Sequence, residues 1–219
     1  MAQVSPFDWA SLLADQPLLP VAAGLKAEQV LPVADSLTAA GVGVLEVTLR
    51  DPGAWDALEQ LKQHSITRVA GSVRSREQLK RLHDLGITLA VTPGWSPSLC
   101  EASRSLGIRL LPGVATPGEA MQAYQKGYHQ VKLFPAAALG GPAYLKAIQA
   151  PLPEMQFVPT GGVSEANLSE WFAVPGVVAV GGSWMLSAEL LQGQKWQELT
   201  ELTLGAVKLA TEHRNTKQD

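Results

Sequence analysis

The run Val131-Lys132-Leu133-Phe134-Pro135-Ala136 sets one lysine inside an otherwise apolar, strand-like segment. Leu, Phe and Pro beside it remove the water that keeps an ammonium charged, and burial favours the neutral, nucleophilic amine. Imine formation with a ketone requires such an amine. The competing reading is a strand-terminal lysine that carries its head back into solvent. A second stretch, Leu45-Glu46-Val47-Thr48-Leu49-Arg50, holds a carboxylate within an apolar run and an arginine on the same alternation. Strand periodicity puts Glu46 and Arg50 on one face. They read either as an ordinary ion pair or as a proton-transfer group with a planar fork for a substrate carboxylate. The third signal is a repeated glycine pair, in Pro159-Thr160-Gly161-Gly162-Val163 and Gly181-Gly182-Ser183-Trp184. Glycines let backbone N–H groups approach an anion closely, and the Ser183 hydroxyl at a helix start adds a donor. One pair alone reads as a turn; two in succession favour a phosphate site.

These residues need elements that bring them together, and short apolar runs alternate with amphipathic stretches along the whole chain. Strands are expected over 18–23, 43–48, 67–71, 87–91, 108–111, 131–134, 156–159 and 177–180. The intervening helices include 27–40, 52–63, with Pro52 in a first turn, and 75–85. Ser96-Pro97 and Thr116-Pro117 read as serine and threonine caps with proline in the first turn, Glu119 completing a capping box with Thr116. Strands this short and this apolar suit a parallel sheet buried on both faces. Eight βα units predict an α/β fold, a single (β/α)8 TIM barrel over 1–219, with an open doubly wound sheet as the alternative. A short helical extension is expected over 1–16, where Asp8 is available as a cap, and a frayed polar tail over 212–219. In a barrel the C-terminal strand ends converge, gathering Glu46, Arg50, Lys132 and both glycine pairs on one face. A lone carboxylate buried there is costly unless paired, which fits a proton-transfer group beside a lysine or water.

Composition narrows the function classes. The 219 residues are 46% hydrophobic and 17% charged, with a net charge of −3, so no bulk basic field points to nucleic acid. The lone cysteine, Cys100, reads as a packing residue and excludes an intrachain disulfide framework. Four dispersed histidines form no metal-ligand pattern, and no metal is expected. No apolar stretch is long enough to span a bilayer and no secretory signal is visible, so the expected location is the cytoplasm. Pro93-Gly94 and Pro112-Gly113 read as rim-shaping turns, and Trp95 and Trp184 as packing residues or mouth-lining ones.

Together these segments resemble the 2-keto-3-deoxy-6-phosphogluconate/4-hydroxy-2-oxoglutarate aldolases, a class I, lysine-dependent family, from about Pro17 to Leu186. The resemblance implies a TIM barrel, commonly a homotrimer, with no metal or organic cofactor. It implies that Lys132 forms an imine with the pyruvyl carbonyl and that Glu46 is the general acid/base, acting through a water. Arg50 and the hydroxyl of Ser72 would hold the carboxylate. Pro93 and Phe134 would shape the pocket, and Gly161, Gly162, Gly182 and Ser183 would form the phosphate end. The expected substrate is a keto-acid phosphate, 2-keto-3-deoxy-6-phosphogluconate, cleaved to pyruvate and glyceraldehyde 3-phosphate as in the Entner-Doudoroff route of carbohydrate metabolism. The phosphogalactonate epimer and 4-hydroxy-2-oxoglutarate are the sister substrates. A phosphate-binding, isomerase-like barrel and a non-catalytic barrel are the readings from other classes.

Departures from the family pattern cluster around the third strand. The family usually reads Gly-Ala-Gly-Thr-Val followed by Asn-Pro, whereas this chain reads Val69-Ala70-Gly71-Ser72-Val73-Arg74-Ser75-Arg76. Serine keeps the hydroxyl and loses a methyl. Arg74 and Arg76 read as solvated residues at an exposed helix start, the alternative being a reach toward an acidic substrate.

Overall fold

The structure, a computed structural model, describes residues 9–215. Helix α1 (Ala10–Asp15) comes first, closed on the core by the fully buried Trp9 and by Leu13. Asp8 lies outside the described residues. The strands β1 (Leu18–Ala22), β2 (Val44–Thr48), β3 (Thr67–Gly71), β4 (Leu89–Val91) and β5 (Arg109–Leu111) follow, each pairing in parallel with the next. Between them run α2 (Val30–Ala39), α3 (Ala54–Gln60), α4 (Arg76–Asp84) and α5 (Pro97–Ser105). The second half holds β6 (Gly113–Val114), α6 (Pro117–Gln125), β7 (Gln130–Leu133), α7 (Gly141–Gln149), β8 (Gln156–Pro159) and α8 (Leu168–Phe172). It ends with β9 (Val180–Gly182), α9 (Ala188–Gln192) and α10 (Trp196–Asn215).

The strands form a six-stranded parallel sheet in the order β5-β4-β3-β2-β1-β9 and a three-stranded one in the order β6-β7-β8. Strands β1, β2, β4, β6, β7 and β9 are buried along their whole length. Helices cover them, with α10 packed against α2 and α8. The fold is therefore α/β with a curled parallel sheet. At one seam the chain passes directly from β5 to β6 through Pro112, which has no N–H to continue a ladder. At the other, isolated parallel bridges join Phe157 to Val177 and Thr160 to Gly181.

Local signals set most boundaries. Ser96 and Thr116 cap α5 and α6 through Leu99 N–H and Glu119 N–H, and Thr116 closes a capping box with Glu119. Ser75 does the same for α4 with Gln78. Three expectations need correction. Pro52 sits in the turn before α3, which starts only at Ala54 with Gly53 as its cap residue. The last strand is not 177–180 but β9, so Gly181 and Gly182 are strand residues and not a following loop. Their missing side chains make the strand fit: a Cβ at Gly182 would lie 1.8 Å from the Trp184 ring, and one at Gly181 2.3 Å from Thr160 Oγ1. The tail expected to fray from Glu212 is helical to Asn215, and residues 216–219 lie outside the described ones. Among the described residues no helix is long and apolar enough to cross a membrane.

Candidate active site

Lys132 lies in β7 and Glu46 in β2, so the two come from different sheets. Their side chains meet inside the fold, with Lys132 Nζ 3.4 Å from Glu46 Oε1 and exposures of only 6% and 0%. The backbone holds both ends in register. Lys132 N–H donates to Pro112 O at 2.9 Å and Lys132 pairs with Gly113 and Val158. Glu46 pairs with Val21 on one side and Val69 on the other. The Phe134 ring centroid lies 5.3 Å from Nζ, giving the amine one aromatic wall. Lys132 does not snorkel, and Glu46 pairs with it and not with Arg50.

Glu46 has a second distinctive feature. Its Oε2 is buried without a hydrogen-bond partner among the described residues, and so is Thr48 Oγ1, two residues along the same face. An unpaired buried acceptor costs about 1–3 kcal/mol. Both residues line a cavity of about 480 Å³, where a hydroxyl or water of the substrate complex can satisfy them. Gly71 makes room for the carboxylate: a Cβ there would sit 2.2 Å from Glu46 Oε1.

The same cavity is lined by all ten residues singled out in the sequence: Glu46, Arg50, Ser72, Pro93, Lys132, Phe134, Gly161, Gly162, Gly182 and Ser183. Each reaches it for a local reason. Arg50 stands in the turn after β2, whose neighbour Asp51 accepts from Gly24 N–H at 2.8 Å and ties that turn to the loop after β1. Ser72 has φ 58, a left-handed conformation that costs a non-glycine residue about 1–3 kcal/mol. A β-branched threonine would be more crowded in that region than serine. Pro93 closes on the cavity because Gly113 lacks a side chain; a Cβ there would lie 2.5 Å from the Pro93 carbonyl carbon. Thr92 Oγ1 locks this corner, accepting from Gly113 N–H at 3.0 Å and donating to Gly94 O at 2.9 Å.

Gly161 and Gly162 have φ values of +94 and +80, which only glycine adopts freely, and a Cβ at Gly162 would lie 2.3 Å from Ala137 Cβ. Asn167 fixes the turn by donating to Gly162 O at 2.9 Å while accepting from Ser164 N–H. Ser183 is exposed at the far side of the mouth, and its hydroxyl is not used to cap the short helical turn over Trp184–Leu186.

The cavity also recruits Val21, Thr48, Thr160 and Val163, which the sequence reading did not assign to it, and Arg74, for which a reach toward substrate was the alternative. Arg74 is exposed at the helix start, as the solvated reading expects, and it also borders the cavity, as the alternative reading allows. Its placement follows the left-handed turn at Ser72, for which a serine gives no sequence signal. Arg76 is absent from the cavity wall and lines a neighbouring groove that Arg74 also borders. Trp95 and Trp184 are absent from the cavity wall: Trp95 Nε1 donates to Gln122 Oε1, and Trp184 packs against the core. Cys100 is buried and free, and burial pushes its thiol up, as a packing role requires. Among the described residues no group of three or more His, Cys, Asp and Glu side chains could hold a metal ion.

The wall thus carries two guanidinium groups, Arg50 and Arg74, and the Lys132 amine, against one carboxylate, Glu46. A cavity with a buried amine, an adjacent carboxylate and surplus positive charge suits covalent chemistry on an anionic carbonyl compound. Comparison with known proteins points the same way. A 2-dehydro-3-deoxy-phosphogluconate aldolase of Pseudomonas aeruginosa is 39% identical over 199 residues, covering 90% of each chain. A KHG/KDPG aldolase of Escherichia coli is 36% identical over 200 residues, 90% of this chain and 94% of that one. The crystal structure of KDPG aldolase from Legionella pneumophila, with pyruvate captured as a covalent carbinolamine intermediate, superposes with a TM-score of 0.85 at 38% identity. It covers 90% of this chain and 96% of its own. With the family model for KDPG and KHG aldolase matching residues 10–202, the chain belongs to the KDPG and KHG aldolase family.

Proposed function

We propose that the protein is a class I aldolase that cleaves 2-keto-3-deoxy-6-phosphogluconate to pyruvate and glyceraldehyde 3-phosphate. The observation that carries this reading is the buried Lys132–Glu46 pair, 3.4 Å apart in the wall of a cationic cavity. Lys132 attacks the C2 carbonyl to give a carbinolamine, and loss of water gives the protonated imine. Glu46 takes the proton of the C4 hydroxyl as the C3–C4 bond breaks. The bonding pair flows into the imine, leaving an enamine instead of a free carbanion. Glyceraldehyde 3-phosphate departs, C3 is protonated from Glu46 through water, and hydrolysis of the new imine releases pyruvate and restores Lys132.

Arg50 and Ser72 hold the carboxylate at the β2–β3 side, and Gly161, Gly162, Gly182 and Ser183 hold the phosphate at the β8–β9 side. Pro93 and Phe134 shape the space between. Pyruvate captured as a carbinolamine in the Legionella pneumophila relative supports the assignment of the amine. The chain passing straight from β5 to β6, and the bridges at Val177 and Gly181, support a single closed eight-stranded barrel in which β5 and β6 are one strand interrupted at Pro112. The family resemblance supports a homotrimer working in the cytoplasm.

Borohydride reduction in the presence of pyruvate, followed by intact-mass and peptide mapping, tests the central step. The expected result is one pyruvyl adduct on Lys132, absent from Lys132→Ala. An adduct on another lysine, or none on active protein, refutes the mechanism.

A further inference from the structure

We propose that Arg74 is a specificity-determining residue that shares the substrate's C1 carboxylate with Arg50. This rests on the aldolase reading above and names a cation the family pattern does not supply at this position. The placement of Arg74 is built into the backbone. Ser72 turns the chain through its left-handed φ, and buried Val73 donates its N–H to Val91 O at 3.0 Å. Arg74 N–H and Ser75 N–H both donate to Gln78 Oε1, at 2.7 and 3.2 Å, while Ser75 Oγ accepts from Gln78 N–H. The backbone from Ser72 to Ser75 is thereby pinned, and the Arg74 side chain lines the cavity.

Arg74 is exposed where the cavity adjoins the groove that Arg76 and Glu101 line, and it borders both. Arg74 and Arg50 form no ion pair among the described residues. Glu77, the acidic residue nearest to Arg74 in sequence, forms no ion pair with it among the described residues. Strand order then decides which end of the substrate Arg74 meets. β2 and β3 are neighbours, with Thr48 opposite Gly71, so the residues just beyond them, Arg50, Ser72 and Arg74, share one side of the rim. The glycines of the phosphate end follow β8 or lie in β9. Carboxylate and phosphate terminate opposite ends of the six-carbon substrate, and Arg74 stands with the carboxylate.

The test separates the two ends. Half-saturation by pyruvate is measured by borohydride trapping, and KM for glyceraldehyde 3-phosphate in the reverse addition. Arg74→Gln should raise the pyruvate value by about tenfold, the loss of one charge-assisted hydrogen bond at an exposed site. Arg74→Lys should fall between it and wild type. The glyceraldehyde 3-phosphate KM should stay within about twofold, and Arg76→Gln, which removes a charge outside the cavity, should leave the pyruvate value unchanged. A pyruvate value unaltered in Arg74→Gln, or a shift confined to glyceraldehyde 3-phosphate, overturns the assignment. A wild-type chain that traps no pyruvate overturns the aldolase reading, and this inference with it, before any variant is compared.

Discussion

Gly71→Ala adds one methyl group, and it should disable the enzyme through Glu46 alone. The new Cβ would lie 2.2 Å from Glu46 Oε1, 2.7 Å from Cγ and 2.8 Å from Cδ. Relief requires the carboxylate to recede by about 1 Å, because ordinary contacts begin near 3.5 Å. The Lys132–Glu46 separation is already 3.4 Å, at the far end of hydrogen-bond range, so a retreat that carries the carboxylate away from Lys132 breaks it. A misplacement of about 1 Å at a reacting group costs roughly a hundredfold in rate. Stability should respond far less. Gly71 has no left-handed φ to forfeit, so alanine gains about 0.4–1 kcal/mol by restricting the unfolded chain. Crowding costs about 1–3 kcal/mol, leaving a small net loss. The assay is pyruvate release coupled to lactate dehydrogenase, alongside borohydride trapping and a thermal melt. Turnover should fall about a hundredfold while the Lys132 adduct still forms. On a Glu46→Gln background the same substitution should change turnover by less than about threefold, since one carboxylate carries both effects. Wild-type turnover in Gly71→Ala, or full additivity with Glu46→Gln, would refute the reasoning.

Other expectations can be checked alongside. Glu46→Gln keeps the volume and removes the base, so imine trapping should persist while turnover drops roughly a hundredfold or more; unchanged turnover removes Glu46 from proton transfer. Inorganic sulfate should compete with the phosphorylated substrate, and Ser183→Ala should weaken that competition. Purely noncompetitive inhibition would argue against an anion subsite beside Gly161 and Gly162. Burial, followed by the neighbouring Cys100, pushes the Tyr128 hydroxyl up to about 12. The folded state then holds this proton above the ordinary value near 10, so its contribution is complete below pH 10 and lost as pH rises toward 12. The loss reaches roughly 2–3 kcal/mol. Urea midpoints should decline across that window in wild type and less steeply in Tyr128→Phe; parallel declines would contradict the assignment.

The positions of Lys132, Glu46 and Arg50 were legible because strand periodicity and the convergence of strand ends are both carried by residue type. The glycine pairs were legible as a local signal, but their structural basis was not. Gly181 and Gly182 sit inside β9 because Thr160 and the Trp184 ring occupy the space their side chains would need. Such packing leaves no mark in the local pattern, which started the strand three residues too early and ended it two too early. The division of the fifth strand at Pro112 and the late start of α3 after Pro52 are backbone matters of the same kind. Arg74 was legible only as one of two readings. Its neighbourhood reads as an ordinary capped helix start, and only the left-handed Ser72 brings the side chain to the cavity. Thr48 was hidden by its company: within Val47-Thr48-Leu49 it looks like strand filler, and only its unpaired hydroxyl sets it apart.

Lys132 and its carboxylate partner belong to different sheets, Lys132 to the three-stranded set and Glu46 to the six-stranded one. Their encounter is therefore a long-distance coincidence detector for the assembled fold. If the polypeptide were cut in the loop between β6 and α6, the fragment ending there would carry the carboxylate and the other the amine. Neither could trap pyruvate efficiently without its complement. Covalent capture would then report reassociation of the pieces, making reactivity an internal gauge of tertiary completeness.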